Sequence, residues 1–292
     1  MIVIESGGGV HCGPEMPGYN FCEEFMTDTA VRKAIVTGAG IGAVYARKLA
    51  ERGYDVVTVA RNAARLEANA SRVRKETGRA VEVIVADLSK PEEVVKLAQR
   101  IAEDAAVTFL VNNAGVSSQG GVLQNTLADA EGLIAVNITA PTLLSIAAAK
   151  AFAERGGGAV VNISSVTAFA PEMFDGAYSG SKNYLINLTV SLAGKTKDAG
   201  VRFQAVLPGP TDTEMWARSQ VPESVIPRSM IMNPEDLVEA ALVGLDRGEV
   251  LTLPTVADEN VWAAYEAARQ ALRPYLAAGQ AAPRYRQPAE LA

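Results

Sequence analysis

From Lys33 onward the chain alternates short apolar runs with amphipathic stretches, and that alternation restricts its possible folds more than any other feature. Residues 34–37, 55–60, 81–86, 107–111, 159–163, 201–207 and 250–253 read as strands. The spacing between them predicts helices over 42–52 and 63–77, and two long Ala- and Leu-rich helices on either side of the fifth strand. Asn62 is suited to cap the second helix, and Asn233-Pro234 to open a later one as cap and first-turn proline. Ser89-Lys90-Pro91-Glu92 reads as a capping box for the helix after the third strand. Apolar strands separated by helices form a parallel sheet covered on both faces. The expected fold class is therefore α/β, a doubly wound parallel sheet of about seven strands in a single domain, with its ligand at the carboxyl ends of the strands.

Composition narrows the function. The 292 residues are 49% hydrophobic, enough to bury a substantial core. Lys plus Arg number 27 against 33 for Asp plus Glu, a formal charge of −6, which argues against nucleic acid as a partner. No apolar run reaches the ~20 residues that span a bilayer, and no signal peptide is readable, so no membrane role is expected and the cytoplasm is the default compartment. Residues 1–30 stand apart as a flexible N-terminal extension, with Gly7-Gly8-Gly9, Pro14 and Pro17 and no periodicity. The domain proper runs over 31–255, and 256–292 form a C-terminal helix and tail, extended after Pro274 and suited to pack on a neighbouring subunit. Cys12, Cys22 and His11 are too few for a zinc site, and no metal is expected.

The chemistry concentrates late in the chain. Tyr178 precedes Lys182 by one helical turn, so phenol and ammonium share a face. A fixed positive charge favours the phenolate and lowers its pKa from about 10 toward useful acid–base work. Ser165, thirteen residues upstream at the end of a strand, can hold a carbonyl oxygen within reach of the phenol; Ser164 competes for that role. Such a trio gives a proton to a carbonyl or takes one from an alcohol. Near the start, Thr37-Gly38-Ala39-Gly40-Ile41-Gly42 follows the first strand and opens a helix, where backbone N–H groups can meet a pyrophosphate.

With Asp87-Leu88, Asn112-Asn113-Ala114-Gly115, Asn137 and Pro208-Gly209 in order between these motifs, the chain resembles the short-chain dehydrogenase/reductase family over roughly 32–255. The resemblance implies a Rossmann-like fold and a catalytic set of Asn137, Ser165, Tyr178 and Lys182. Tyr178 would be the acid or base, Ser165 would polarise the carbonyl, and Lys182 would hydrogen-bond the nicotinamide ribose. Asn137 would hold a water that resupplies protons; a helix-interior Asn satisfied by backbone is the other reading. The dinucleotide would lie against Gly38, Gly40, Ile41, Gly42, Arg61, Asp87, Leu88, Asn113, Ala114, Gly115, Tyr178, Lys182, Pro208, Gly209 and Thr213. Asp87 would accept from the adenine, an Asx-turn or helix cap being the alternative.

At the end of the second strand Ala60-Arg61 replaces the carboxylate that would repel a 2′-phosphate, so NADP(H) is favoured and NAD(H) is the alternative; Arg65 is a weaker second phosphate ligand. The glycine turn departs from the family by being two residues short, which removes one polar phosphate contact. Met215, Trp216, Val221, Pro222, Ile226, Pro227, Met230 and Met232 suggest a lid over the substrate, with Phe169, Pro171, Met173 and Phe174 as the opposing wall. The expected activity is hydride transfer between a nicotinamide and a ketone, aldehyde or secondary alcohol with apolar substituents. The alternatives are a nucleotide-binding regulatory protein with an impaired turn, and an epimerase. A homodimer or homotetramer is the expected assembly.

Overall fold

The structure is a computed structural model that describes residues 31–117, 123–213 and 226–285. Seven strands form one sheet: β1 (Lys33–Thr37), β2 (Asp55–Ala60), β3 (Val81–Val85), β4 (Val107–Asn112), β5 (Gly158–Ile163), β6 (Val201–Val206) and β7 (Leu251–Thr252). Their order is β3-β2-β1-β4-β5-β6-β7, and every neighbouring pair is parallel. The order reverses between β1 and β4, which opens the crevice where a doubly wound sheet takes its ligand.

Strand residues alternate between two helical layers. Ala34 and Val36 of β1 face a core built with Tyr45 and Leu49 of α1 (Ile41–Glu51), Ala70 and Val73 of α2 (Ala63–Thr77), and Leu237 and Leu242 from 234–246. Ile35 faces the opposite core, with Leu97 and Ile101 of α3 (Pro91–Glu103) and Leu144, Ala148 and Phe152 from 140–154. Each such Leu, Ile or Phe contributes roughly 1.5–3 kcal/mol by leaving water. That double burial is why the strand sequences are apolar throughout and not alternating.

Among the described residues the remaining α-helices are α4 (Leu127–Ile134), α5 (Ala140–Glu154), α6 (Gly176–Thr196), α7 (Pro234–Asp246) and α8 (Glu259–Ala271). A π-turn, Ala135–Thr139, joins α4 to α5. The run Leu127–Glu154 is in fact long and apolar enough to cross a membrane by length and composition, contrary to expectation, but 44% of its apolar window is buried inside the fold, as in a core helix. Asn62 and Asn233 cap α2 and α7 as predicted, each side chain accepting from a first-turn N–H. The capping box at Ser89 is not formed. Lys90 is the N-cap of α3, because the Asp87 carboxylate takes both the N–H and the hydroxyl of Ser89 and turns that side chain away from the helix. Past Pro274 the expected extended chain gives way to 3-10 turns at Arg273–Tyr275 and Pro283–Tyr285. His11, Cys12, Cys22 and the rest of 1–30 lie outside the described residues, as do Met215, Trp216, Val221 and Pro222 of the expected lid.

A chain of buried polar side chains crosses the middle of the sheet. Asn112 Nδ2 of β4 donates to Ser145 Oγ of α5 (3.0 Å) and to Asn162 Oδ1 of β5 (2.8 Å), and Asn162 Nδ2 donates to Thr189 Oγ1 of α6 (2.9 Å).

Candidate active site

Ser165 ends the run that begins in β5, and its hydroxyl accepts from the Thr167 N–H (3.2 Å) to start the 3-10 turn Val166–Phe169. Asp175 caps α6 by accepting from the N–H of Tyr178 itself (2.8 Å), so the phenol stands in the first turn of a fixed helix. Ser165 stands near enough to the Tyr178 phenol to pull its pKa down. The two serines differ in place: Ser164 Oγ donates to the Lys182 carbonyl (2.7 Å) and fastens strand to helix, while Ser165 is the one whose hydroxyl influences the phenol.

Lys182 is buried, with Nζ 5.5 Å from the centre of the Tyr178 ring and donating to the Ile163 carbonyl at 2.9 Å. Spacing alone predicts that this ammonium lowers the phenol pKa. In the structure burial sets the direction: the phenol is pushed up to about 12, with Ser165 the influence pulling the other way. Burial also brings Lys182 down to about 8, so it stays cationic near neutrality.

That shift has a signed consequence for stability. Between pH 8 and 10.5 the unfolded lysine holds more proton than the folded one, so stability rises with pH in this window. Below about 8 both forms are charged and the burial penalty is constant. The melting temperature of the wild-type chain relative to Lys182→Met should therefore climb as pH is raised from 8 toward 10; a flat difference by calorimetry would refute the shift.

Asn137 lies in the π-turn and is buried. Its Oδ1 accepts from the Val116 N–H (2.9 Å), and its Nδ2 donates to the Val116 carbonyl (2.9 Å) and to Ser181 Oγ (3.1 Å). The side chain thus ties the segment after β4 to α6. Gly115 lies between: a Cβ there would sit 3.3 Å from Lys182 Nζ and 3.5 Å from Asn137 Oδ1.

The glycine turn sits at the crevice. Thr37 organises it, its hydroxyl donating to the Val111 carbonyl (3.2 Å) and accepting from the N–H groups of Asn113 and Ala114 (3.1 Å each). Gly38 has φ +80°, and a Cβ there or on Gly42 would crowd Asn113 Nδ2 at 2.6 or 2.7 Å. Gly40 differs, since a Cβ on it would meet nothing within 4 Å. It is the N-cap of α1, with no side-chain cap and no acidic residue in the first turn, and Ile41 follows as the first helical residue. Open space facing uncapped N–H groups is what a pyrophosphate requires, so the shortened turn fits a dinucleotide. Arg65 does not point a free guanidinium at that space; it donates to the Ala39 carbonyl at 2.9 Å and braces the turn.

A cleft of about 380 Å³ is lined by Arg61, Ser89, Val116, Asp129, Leu133 and Val136. Asp87 forms the Asx-turn with Ser89, whose hydrogen bonds hold its carboxyl below the usual range, helped by the Arg61 charge. Leu88 is buried beneath it. On the far side, Pro208 accepts from the Val166 N–H (3.0 Å), a Cβ on Gly209 would lie 3.3 Å from Thr255 Cγ2, and Thr213 is half-buried near the end of this described segment. Every predicted site residue therefore lies at the carboxyl end of the sheet. Trp262 and Tyr265 of α8 meet Phe169 at centroid distances of 5.7 and 5.3 Å, the first ring tilted and the second edge-on; both were legible as aromatic residues but not as neighbours of Phe169.

Fold and site together define a dinucleotide-type α/β oxidoreductase with a Ser–Tyr–Lys centre. The sequence profile of the short chain dehydrogenase family matches residues 32–223, and the chain belongs to that family. Among solved structures, it is 42% identical to a short-chain dehydrogenase from Sphingobium yanoikuyae in complex with NADPH, covering 88% of this chain and 100% of that one with a TM-score of 0.83. A bulky-bulky ketone specific alcohol dehydrogenase from Comamonas testosteroni is 37% identical, with 88% and 99% coverage and a TM-score of 0.80. Galactitol 2-dehydrogenase (L-tagatose-forming) of Cereibacter sphaeroides is 32% identical, covering 75% of this chain and 88% of that protein.

Proposed function

We propose that this chain is an NADPH-dependent reductase of ketones with apolar substituents. The observation that carries this reading is the Ser165–Tyr178–Lys182 centre, with the open glycine turn at Gly40 and the exposed Arg61 following β1 and β2 of the same sheet. A bound nicotinamide supplies the hydride for the carbonyl carbon. Ser165 and Tyr178 hydroxyls converge on the carbonyl oxygen, and Tyr178 gives it the proton. With its pKa raised, the phenol is held in the protonated form that reduction consumes. The Lys182 charge near the ring stabilises the phenolate left behind. Bulky ketones are favoured as substrates by the exposed Met173 and Phe174 beside the centre and by the likeness to the Comamonas enzyme. The assembly and the compartment stay as proposals: a homodimer or homotetramer in the cytoplasm.

Arg61 supports the cofactor preference, being exposed at the end of β2 where a 2′-phosphate would be read. A charge-assisted contact of this kind contributes about 1.5–3 kcal/mol, or roughly 10- to 100-fold in affinity. Titration by nicotinamide fluorescence should show Arg61→Ala weakening NADPH by that factor and NADH by less than about twofold. Equal losses would sink the phosphate role. Consumption of NADPH with an aryl ketone tests the activity; cofactor binding without turnover on any ketone of a broad panel would overturn it.

A further inference from the structure

The C-terminal helix is held to the body in an unusual way. None of the thirteen residues of α8 is fully buried, and a helix of that length is marginal without packing. Its anchorage is aromatic. Trp262 is half-buried and stacks on Tyr265 one turn away (centroids 5.2 Å, 20° between planes), and both rings meet Phe169. Phe169 closes the 3-10 turn that begins at Ser165, and Asn183, next to Lys182, donates to the Ala168 carbonyl at 3.2 Å. The trio is therefore fixed to the same turn that positions the catalytic serine.

The path of the chain puts α8 on the substrate side. β7 runs parallel to β6, so the chain leaves it at the carboxyl end of the sheet, where Thr255 lies against Gly209. Tyr265 remains 45% exposed, and Met173 and Phe174, on the segment between Ser165 and Tyr178, remain 74% and 43% exposed. Apolar surface left open on both sides of a carbonyl site is suited to a flat apolar group of the ligand. We infer that Trp262 and Tyr265 form the outer wall of the substrate cleft and select carbonyl compounds that carry an aromatic substituent. The inference deepens the ketone-reductase reading and rests on it for the identity of the reacting group.

The test uses the full chain with propiophenone and butanone as probes. Trp262→Ala should raise KM for propiophenone by about tenfold relative to KM for butanone, a stacking loss of the usual size plus lost area, with kcat changing less. Trp262→Phe should restore most of the difference, and the Kd for NADPH should move by less than about twofold. A role confined to anchoring α8 predicts instead that both ketones lose the same factor; that result, or an unchanged ratio, overturns the inference. Calorimetric binding of propiophenone separates this from failure of the reductase reading. A wild-type chain that binds propiophenone more tightly than Trp262→Ala but does not reduce it keeps the wall and loses the activity. A chain that binds propiophenone no better than the variant loses the wall.

Discussion

Tyr178→Phe should bind NADPH as the wild type does and reduce ketones about 10²–10⁴-fold more slowly, the usual contribution of a positioned general acid. The substitution removes one hydroxyl and little else. The cap of α6 rests on the Tyr178 backbone N–H, which Phe retains, and the Lys182 ammonium keeps its bond to the Ile163 carbonyl. Ser165 loses the neighbouring phenol hydroxyl but still accepts from Thr167. Folding should therefore be close to unchanged while the proton donor is absent. Single-turnover kinetics at saturating NADPH isolate the chemical step. A variant within about tenfold of wild type would remove Tyr178 from its role as the acid.

Gly38→Ala should have the largest effect on the fold of any single methyl group added at the crevice. At φ +80° a Cβ costs roughly 1–2 kcal/mol. The added atom would also lie 2.6 Å from Asn113 Nδ2 and 3.0 Å from the Ala114 N and Cα. Asn113 cannot yield freely, because Nδ2 donates to the Thr37 carbonyl at 2.9 Å, and Ala114 is held by the Thr37 hydroxyl. Overpacking of this kind costs about 1–3 kcal/mol, for a combined loss of roughly 2–5 kcal/mol in urea denaturation. Gly40→Ala is the contrast. Its Cβ meets nothing in the protein, so stability should hold while the methyl group occupies the cradle and NADPH binding falls. Equal stabilities for the two variants would show that the turn is not built as described. Loss of NADPH binding in Gly38→Ala alone would show that the cofactor lies elsewhere than over Gly40.

How legible each part was follows from the range of the interaction concerned. Strands and helices were readable because parallel strands buried on both faces must be apolar, and because Asn62 and Asn233 cap within three residues of themselves. The failed capping box at Ser89 shows the limit of even a local rule. The Ser89 N–H from which the Glu92 carboxylate would have to accept is already given to Asp87. Spacing put Tyr178 and Lys182 on one face but carried no information about depth, and depth reversed the direction of the phenol's shift. Arg65, a candidate phosphate ligand by charge, is engaged by a carbonyl of the turn it was expected to help. The partners of Phe169 lie on the last helix, and nothing local to either ring announces the contact.

The buried run of Asn112, Ser145, Asn162 and Thr189 has a consequence for the catalytic geometry. It spans two strands and two helices, and its link to α6 is the bond from Asn162 Nδ2 to Thr189 Oγ1, made at one longitudinal setting of that helix. Sliding α6 by one turn, about 5.4 Å, would break that bond and leave its two buried groups unpaired at roughly 1–3 kcal/mol apiece, while apolar packing alone would tolerate the slip far better. Tyr178 and Lys182 ride on that same helix, two to three turns from Thr189. The amides and hydroxyls in the middle of the sheet therefore act as a gauge that sets how far the phenol stands from Ser165, and they do so from a depth no substrate reaches.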